Sequence, residues 1–168
     1  MQISTKRLLL IAANTKTAEA EISNKAEFGR LLEADIPNNW PPENTRDVLE
    51  FFKEKITESS NNPGWYTWYV ILVAPGEKVL IGSIGFFGPP DSNSCVETGY
   101  SLLPQFEGLG YATEMLKGLT EHLKSSNVKS IKARTDKDNI KSQNVLKNNS
   151  FELTGVDEED KFIFIKTL

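Results

Sequence analysis

Residues 105–114 have the sequence Gln-Phe-Glu-Gly-Leu-Gly-Tyr-Ala-Thr-Glu, with two glycines one residue apart. They follow an apolar, strand-like run at residues 95–103 and lead into a segment with helical spacing at residues 112–123. Two glycines in such a turn let the backbone approach a ligand closely, and the free amides at a helix start favour negative charge. The stretch therefore predicts a binding loop for a phosphorylated ligand, and a cofactor with a pyrophosphate is the first candidate.

Two nearby glycines also occur in loops that only turn the chain, so this alternative stays open on the motif alone. A P-loop is excluded because no Lys-Ser or Lys-Thr pair follows the glycines at the required spacing. A dinucleotide-binding fingerprint would have Gly or Ala at Thr113, and its strand would run directly into the first glycine. Residues 104–107 intervene here, so that motif does not fit either.

The spacing Gln105-x-x-Gly108-x-Gly110 resembles the pyrophosphate-binding signature Gln/Arg-x-x-Gly-x-Gly/Ala of the GNAT superfamily, the acyl-CoA-dependent N-acyltransferases. Residues 96–100, Val-Glu-Thr-Gly-Tyr, look like the fourth strand of that family, and residues 139–151 look like its final helix and the entry to the next strand. Within the superfamily the chain is most similar to the branch that contains the ribosomal-protein N-terminal acetyltransferases. The specific match covers roughly residues 95–151.

The length of 168 residues and a hydrophobic content of 39% suit a single domain, residues 1–168, with a substantial core. The order of apolar patterns and turn residues predicts a mixed α/β fold. The predicted strands are residues 6–11, 65–73, 79–87, 95–103, 130–135, 151–156 and 162–165. The predicted helices are residues 15–32, a second helix capped by Asn44 or Thr45, residues 112–123 and residues 139–147. The resemblance implies a GNAT-like (α+β) central, mostly antiparallel twisted sheet flanked by helices. In that fold the parallel strands Val96–Leu102 and Ile131–Thr135 splay apart, and acyl-CoA lies in the opening.

The net charge of −4 argues against nonspecific nucleic-acid binding, although residues 105–148 carry eight Lys or Arg and only five Asp or Glu. The opening apolar run is too short for a signal peptide or a membrane span, so we expect a cytoplasmic protein without a membrane partner. Cys95 is the single cysteine and cannot form an internal disulfide, and His122 has no neighbouring ligand set, so no metal is expected. A monomer and a homodimer are both open.

An N-acetyltransferase must deprotonate its acceptor, because only the free amine attacks the thioester. Strand alternation puts Glu97 on one face with Gly99, which makes Glu97 the candidate base and an acceptor-binding residue. An ordinary exposed strand carboxylate is the alternative. Many members of the family place a tyrosine on the last helix for the departing thiolate, but residues 139–149 contain none. Ser142 is therefore the candidate donor to the sulfur, unless the thiolate leaves unassisted.

The resemblance also implies which residues contact acetyl-CoA. A backbone amide near the end of the splayed strand would stabilise the negative oxygen of the tetrahedral intermediate, and an asparagine side chain would bind the pantetheine arm. The expected cofactor-binding residues are Leu102, Leu103, Gln105, Gly108, Leu109, Gly110, Tyr111, Ala112, Thr113, Asn139, Ser142 and Lys147.

The acceptor pocket implied by the family lies between the loop at residues 37–43 and the hairpin at residues 157–160, with Trp40 as a wall. Acidic residues there would suit a cationic amine. We therefore expect an acetyl-CoA-dependent N-acetyltransferase that acts by direct transfer in a ternary complex, on an amine of a small molecule or a protein N-terminus. A noncatalytic acyl-CoA sensor that uses the same cleft is the alternative.

Overall fold

One eight-stranded sheet organises residues 1–168 in the computed structural model of the chain. Its strands are β1 (Gln2–Ser4), β2 (Leu8–Ala12), β3 (Thr67–Ala74), β4 (Glu77–Phe86), β5 (Cys95–Leu102), β6 (Ser130–Thr135), β7 (Glu152–Val156) and β8 (Phe162–Thr167). Their order across the sheet is β1-β2-β3-β4-β5-β6-β8-β7, and every neighbouring pair is antiparallel except β5 with β6. The predicted fold class, a mixed α/β fold with a mostly antiparallel sheet and one parallel pair, is confirmed.

Five α-helices pack on the two faces of the sheet: α1 (Thr15–Ser23), α2 (Lys25–Leu32), α3 (Leu49–Glu58), α4 (Tyr111–Leu123) and α5 (Ile140–Asn148). None of them combines the length and the apolar character that a bilayer-spanning helix needs. Short 3-10 turns at Glu43–Val48 and Pro104–Phe106 precede α3 and α4. The two helices after the glycine loop begin and end within one residue of their predicted positions.

The single helix predicted over residues 15–32 is wrong at its centre, because Asn24 divides it into α1 and α2. The backbone of Asn24 is extended (φ −154°, ψ 93°), and its side chain accepts a hydrogen bond from the Glu27 amide at 3.1 Å. An asparagine side chain bonds to nearby backbone donors, which favours a helix start over a helix interior. The break makes α1 a separate helix of nine residues whose last turns carry Glu21.

The predicted cap of the next helix is also wrong, because α3 begins at Leu49 without a side-chain cap. The Asn44 side chain instead accepts a hydrogen bond from the Ser101 hydroxyl of β5 at 2.8 Å, and Thr45 donates to the Pro42 carbonyl at 2.8 Å. Asn44 is thereby drawn toward the end of β5. Strand β1 was not predicted, because three residues are too few to show an alternating pattern.

The hydrophobic residues form two cores, one on each face of the sheet, as the alternation along β3 shows. Trp68 and Val70 belong to the larger core, which α4 and α5 cover. Tyr69 and Ile71 point the other way, into a smaller core with Phe28 of α2. The glycine loop and α4 therefore lie on one face of the sheet, and α1 to α3 lie on the other.

Strands β5 and β6 pair over only four residues, from Cys95 with Ser130 to Thr98 with Ala133. Beyond that point β5 continues to Leu102 alongside β4, and β6 continues alongside β8. The two strands leave an opening in the sheet, in which backbone groups of β5 have no β6 partner.

The close packing of β4 against its neighbours provides a test of the sheet register. A Cβ atom placed on Gly85 would lie 2.0 Å from the Tyr66 carbonyl oxygen, whereas a Cβ on Gly155 has no atom within 4 Å. We expect Gly85→Ala to lower the free energy of unfolding by about 2 kcal/mol, because the backbone must move. Gly155→Ala is the matched control and should change it by less than about 0.5 kcal/mol. Equal stability of the two variants in urea unfolding would contradict this register.

Candidate active site

The glycine loop runs from β5 into α4 with two residues in the left-handed region. Gly108 has φ 73° and Gly110 has φ 82°, conformations that residues with a side chain rarely adopt. No atom lies within 4 Å of a Cβ placed on Gly108. The backbone path therefore requires the glycines, and the space in front of Gly108 is open to a ligand.

Six consecutive amides of this loop, from Gly108 to Thr113, donate no hydrogen bond within the protein. Gly110 occupies the N-cap position of α4 and has no side chain to cap it, and the first backbone bond of the helix runs from Glu114 to Gly110 at 3.1 Å. Unpaired donors at the positive end of a helix dipole favour an anion. The loop thus presents a row of free donors suited to phosphate.

Arg7, between β1 and β2, holds the loop in place. Its Nε donates to Glu114 at 2.7 Å, its Nη1 donates to the Leu109 carbonyl at 3.1 Å, and its guanidinium lies 4.4 Å from the centre of the Tyr111 ring. Burial acts to raise the pKa of Glu114, but hydrogen bonds from Thr5 and Arg7 outweigh it and lower that pKa. Glu114 therefore stays ionised at neutral pH and anchors the start of α4.

A cleft of about 460 Å³ lies between the glycine loop, β5 and α5. We call it the α4–α5 cleft. Its lining includes seven of the residues expected to bind acetyl-CoA: Leu102, Gly108, Gly110, Ala112, Thr113, Asn139 and Ser142. The free amides and the end of β5 therefore face one shared space.

Three other expected cofactor residues belong to the loop but not to the lining of the cleft. Gln105 exchanges side-chain hydrogen bonds with Asn39 at 3.0 and 3.2 Å. Leu109 exposes its side chain to solvent, and Tyr111 lies under the Arg7 guanidinium. These side chains fix the shape of the loop, while its backbone faces the cleft.

The lysine of α5 that lines the cleft is Lys141 rather than the expected Lys147. Lys141 forms an ion pair with Glu107 at 2.7 Å, and both groups lie beside the glycine loop. Lys147 is exposed and lies outside the lining. A phosphate in the cleft would therefore compete with Glu107 for Lys141.

Peptide groups at the end of β5 point alternately to opposite sides. The Leu103 amide donates to the Ile81 carbonyl at 2.8 Å, so the odd-numbered residues of β5 bond to β4. The amides and carbonyls of Tyr100 and Leu102 consequently point away from β4, into the opening beside β6. The Leu103 amide is not free to act as the expected oxyanion donor, whereas the Leu102 amide faces the opening.

Two further cavities adjoin the same opening. The first, of about 280 Å³, lies between α1, α3 and strands β3 to β5, and we call it the aromatic pocket because Phe52, Tyr66 and Phe87 line it. The second, of about 240 Å³, lies beside Glu97 and the end of β6. No group of three or more His, Cys, Asp or Glu side chains is placed to hold a metal ion.

Tyr100 lines all three cavities and so lies where they meet. Its hydroxyl oxygen is 2.9 Å from the Ser142 hydroxyl oxygen of α5. Burial raises the pKa of Tyr100 to about 12, against the opposing effect of the Ser142 hydrogen bond. The phenol therefore keeps its proton at neutral pH. The last helix has no tyrosine, but the Tyr100 hydroxyl reaches this helix from β5.

Glu97 lies between two cations. Arg134 Nε donates to one carboxylate oxygen at 2.7 Å, and Lys132 Nζ lies 2.7 Å from the other. Burial acts to raise the pKa of Glu97, but these two neighbours outweigh it and lower that pKa. Such a carboxylate is a weak base toward an α-ammonium, whose pKa is about 8. The geometry does not support the expected role of Glu97 as the base; its ion pairs join β5 to β6 next to the opening.

Glu21 is the only charged side chain in the lining of the aromatic pocket. Trp40 Nε1 donates to one of its oxygens at 3.0 Å, and the Tyr69 hydroxyl donates to the other at 2.8 Å. Burial raises the pKa of Glu21 to about 7, and the two hydrogen bonds lower it by less. The sequence alone does not single out Glu21, because its position in the pocket depends on the helix break at Asn24 and on the hydrogen bond from the distant Tyr69.

The other expected parts of the acceptor pocket lie outside the aromatic pocket. Trp40 stands behind Glu21, to which it donates, and is not part of the lining. The hairpin at residues 157–160 also lies outside it, and Asp157 accepts a hydrogen bond from Arg134 at 3.2 Å. Helix α3 and strands β3 to β5 supply the walls instead.

Residues 7–152 match the family model of the acetyltransferase (GNAT) domain. The chain belongs to the GNAT acetyltransferase family. The matched region includes β5, the glycine loop, α4 and α5, which together form the α4–α5 cleft. The expected GNAT membership and the expected enzyme class, an acetyltransferase, are confirmed.

Similar proteins extend over nearly the whole length of this GNAT chain. The uncharacterized N-acetyltransferase YjdG of Bacillus subtilis (strain 168) is 26% identical over 160 residues, which cover 95% of this chain and 94% of YjdG. RimL, a ribosomal L7/L12 alpha-N-protein acetyltransferase solved with coenzyme A, matches with a TM-score of 0.68 at 19% identity. The match covers 100% of this chain and 98% of the RimL chain. The ribosomal-protein-S5-alanine acetyltransferase of Vibrio fischeri matches with a TM-score of 0.69 at 18% identity, over 99% of this chain and 96% of the Vibrio chain. The two structures show a shared fold.

The raised pKa of Glu21 makes the stability of the fold depend on pH. Since the folded-state pKa is about 7 and the ordinary value is 4.5, the stabilisation by the neutral carboxyl is complete below pH 4.5 and is lost as the pH rises through 7. Glu21→Gln removes this titration. The free energy of unfolding of the variant minus that of the wild type should therefore increase by about 3 kcal/mol between pH 4.5 and pH 8, because only the wild type loses stability over this range.

Urea unfolding at a series of pH values measures this difference. Glu19→Gln, which changes an exposed carboxylate of the same helix, is the control and should follow the wild-type pH profile. A constant difference between Glu21→Gln and wild type across the pH range would contradict the raised pKa.

Proposed function

We propose that the protein transfers an acetyl group from acetyl-CoA to a primary amine, on a small molecule or a protein N-terminus, by direct transfer in a ternary complex. The observation that carries this proposal is the meeting of the α4–α5 cleft and the aromatic pocket at Tyr100. The cleft offers free amides suited to an anion, and the pocket contains a carboxyl group suited to a cation. A donor and an acceptor that enter from the two sides would meet at the end of β5.

The amides from Gly108 to Thr113 are the proposed ligands of the CoA diphosphate. The pantetheine arm would follow the end of β5, where the peptide groups of Tyr100 and Leu102 can pair with its amides as a neighbouring strand would. The side-chain oxygen Oδ1 of Asn139 accepts a hydrogen bond from the Ser142 amide at 3.0 Å, which leaves the side-chain NH₂ group of Asn139 for the arm. The coenzyme A in the RimL structure supports this donor.

In the proposed reaction the free amine attacks the thioester carbon and forms a tetrahedral intermediate, whose negative oxygen accepts a hydrogen bond from the Leu102 amide. The carbon–sulfur bond then breaks, the acetyl group stays on nitrogen and the sulfur leaves as a thiolate. The paired hydroxyls of Tyr100 and Ser142 lie at the boundary of the two cavities and can give the sulfur its proton. The nitrogen of the new amide loses a proton, which restores the hydroxyl pair, so in total one proton moves from nitrogen to sulfur.

A noncatalytic acyl-CoA sensor would need the cleft but neither an acceptor pocket nor a proton donor near the sulfur. The tyrosine that the last helix lacks is replaced in space by Tyr100, whose hydroxyl reaches Ser142 of that helix. The presence of both features favours the enzyme over the sensor.

Turnover with a panel of amines tests this proposal. We expect the purified protein to release free CoA thiol from acetyl-CoA only when an amine or a peptide with a free N-terminus is present. Tyr100→Phe should slow transfer by about a hundredfold, because it removes the proton donor, and should leave acetyl-CoA binding intact. Binding of acetyl-CoA without turnover on any amine would instead support the sensor.

Calorimetry with CoA tests the assigned donor site. Gly110→Val forces a β-branched residue to φ 82°, so the loop must change its path. We expect CoA affinity to fall at least about tenfold, equivalent to about 1.4 kcal/mol. Gly76→Val is the matched control, because Gly76 also has a positive φ of 77° but lies in the β3–β4 turn, and CoA affinity should not change. Retained affinity in Gly110→Val would refute the site.

A further inference from the structure

Two neutral donors fix the direction of the Glu21 carboxyl group in the aromatic pocket. The Tyr69 hydroxyl and the Trp40 indole each hold one of its oxygens, at 2.8 and 3.0 Å. Neither donor carries a charge, and the lining of the pocket contains no Lys, Arg or His. When Glu21 is ionised, its charge is therefore not compensated inside the pocket, which is costly in such a partly buried position.

Helix α3 above the pocket offers no free cation for Glu21. Lys53 pairs with Glu50 and Lys55 pairs with Glu58, in both cases within α3. The two donors to the Glu21 carboxyl are the neutral Trp40 and Tyr69, and no cation of the protein pairs with it, so the structure leaves this place to a positive group of a molecule that enters the pocket.

Glu21 also lies away from the end of β5, where the proposed transfer takes place. Its partner Tyr69 on β3 is in register with Ser83 on β4, and Ser83 is in register with Ser101 on β5. Two strand spacings, about 10 Å in total, separate the backbones of Tyr69 and Ser101. An ammonium group held against Glu21 is thus separated from the transfer point by most of the width of the pocket.

We propose that Glu21 determines acceptor specificity by binding a second cationic group of the acceptor, so that the preferred acceptor carries two amines on an apolar spacer. This inference rests on the proposed function, because it takes the aromatic pocket as the acceptor site. One amine would reach the thioester beside Leu102, and the far ammonium would pair with Glu21. The rings of Phe52 and Phe87 would contact the methylene groups between them.

Two acceptors with the same seven-carbon chain, 1,7-diaminoheptane and n-heptylamine, test this specificity with saturating acetyl-CoA at pH 8. We expect the wild-type kcat/KM for the diamine to exceed that for the monoamine by about tenfold or more. Glu21→Gln should remove this preference by lowering kcat/KM for the diamine by about tenfold more than it lowers the value for heptylamine. The control Glu19→Gln, on the exposed side of α1, should keep the preference.

The outcomes distinguish this inference from the proposed function. If the wild type acetylates both amines equally well, or if Glu21→Gln slows both by the same factor, the second-cation site is refuted. If the wild type binds acetyl-CoA and acetylates no amine, the proposed function itself fails. Glu21→Asp keeps the charge on a shorter side chain, so it should retain part of the preference; if it is as unselective as Glu21→Gln, charge does not explain the preference and the inference fails.

Discussion

Peptide groups without partners are the constraint on which the rest of the site depends. Strand β5 stops pairing with β6 after Thr98, and the loop beyond it leaves the amides from Gly108 to Thr113 free. A backbone donor or acceptor without a partner in the protein bonds to water or to a ligand, and it costs free energy when it has neither. Both sets of groups face one cleft. A ligand with phosphates at one end and amides along its arm can satisfy them together, as the proposed donor acetyl-CoA would.

Two carboxyl groups on the same side of the sheet differ in their surroundings, and this difference decides what each can do. Glu97 lies between Arg134 and Lys132, which lower its pKa, so it serves as the centre of an ion-pair cluster. Glu21 lies among aromatic walls and neutral donors, and burial raises its pKa to about 7. An acid without a counter-ion in a pocket is the better candidate for a functional role. Residue type and strand face alone favour Glu97 as the functional carboxylate, since neither shows its two cationic neighbours.

Local patterns predict those parts of the fold that local forces determine. The glycine loop at residues 105–114, the helix after it and the strand at residues 130–135 all follow from apolar spacing and turn residues. The break at Asn24 also carries a local signal, since asparagine favours a helix cap. Arg7 and Glu21 could not be predicted this way, because their deciding contacts cross 107 and 48 positions of the chain. Such contacts exist only once the sheet has brought distant segments together.

Amide chemical shifts recorded during a titration with CoA show whether the glycine loop binds the diphosphate. If the free amides bind the diphosphate, the ¹H–¹⁵N resonances from Gly108 to Thr113 shift with CoA and stay in place with pantetheine, which lacks the diphosphate. Loop resonances that do not move at saturating CoA, while signals elsewhere in the protein shift, would contradict binding of the diphosphate by these amides.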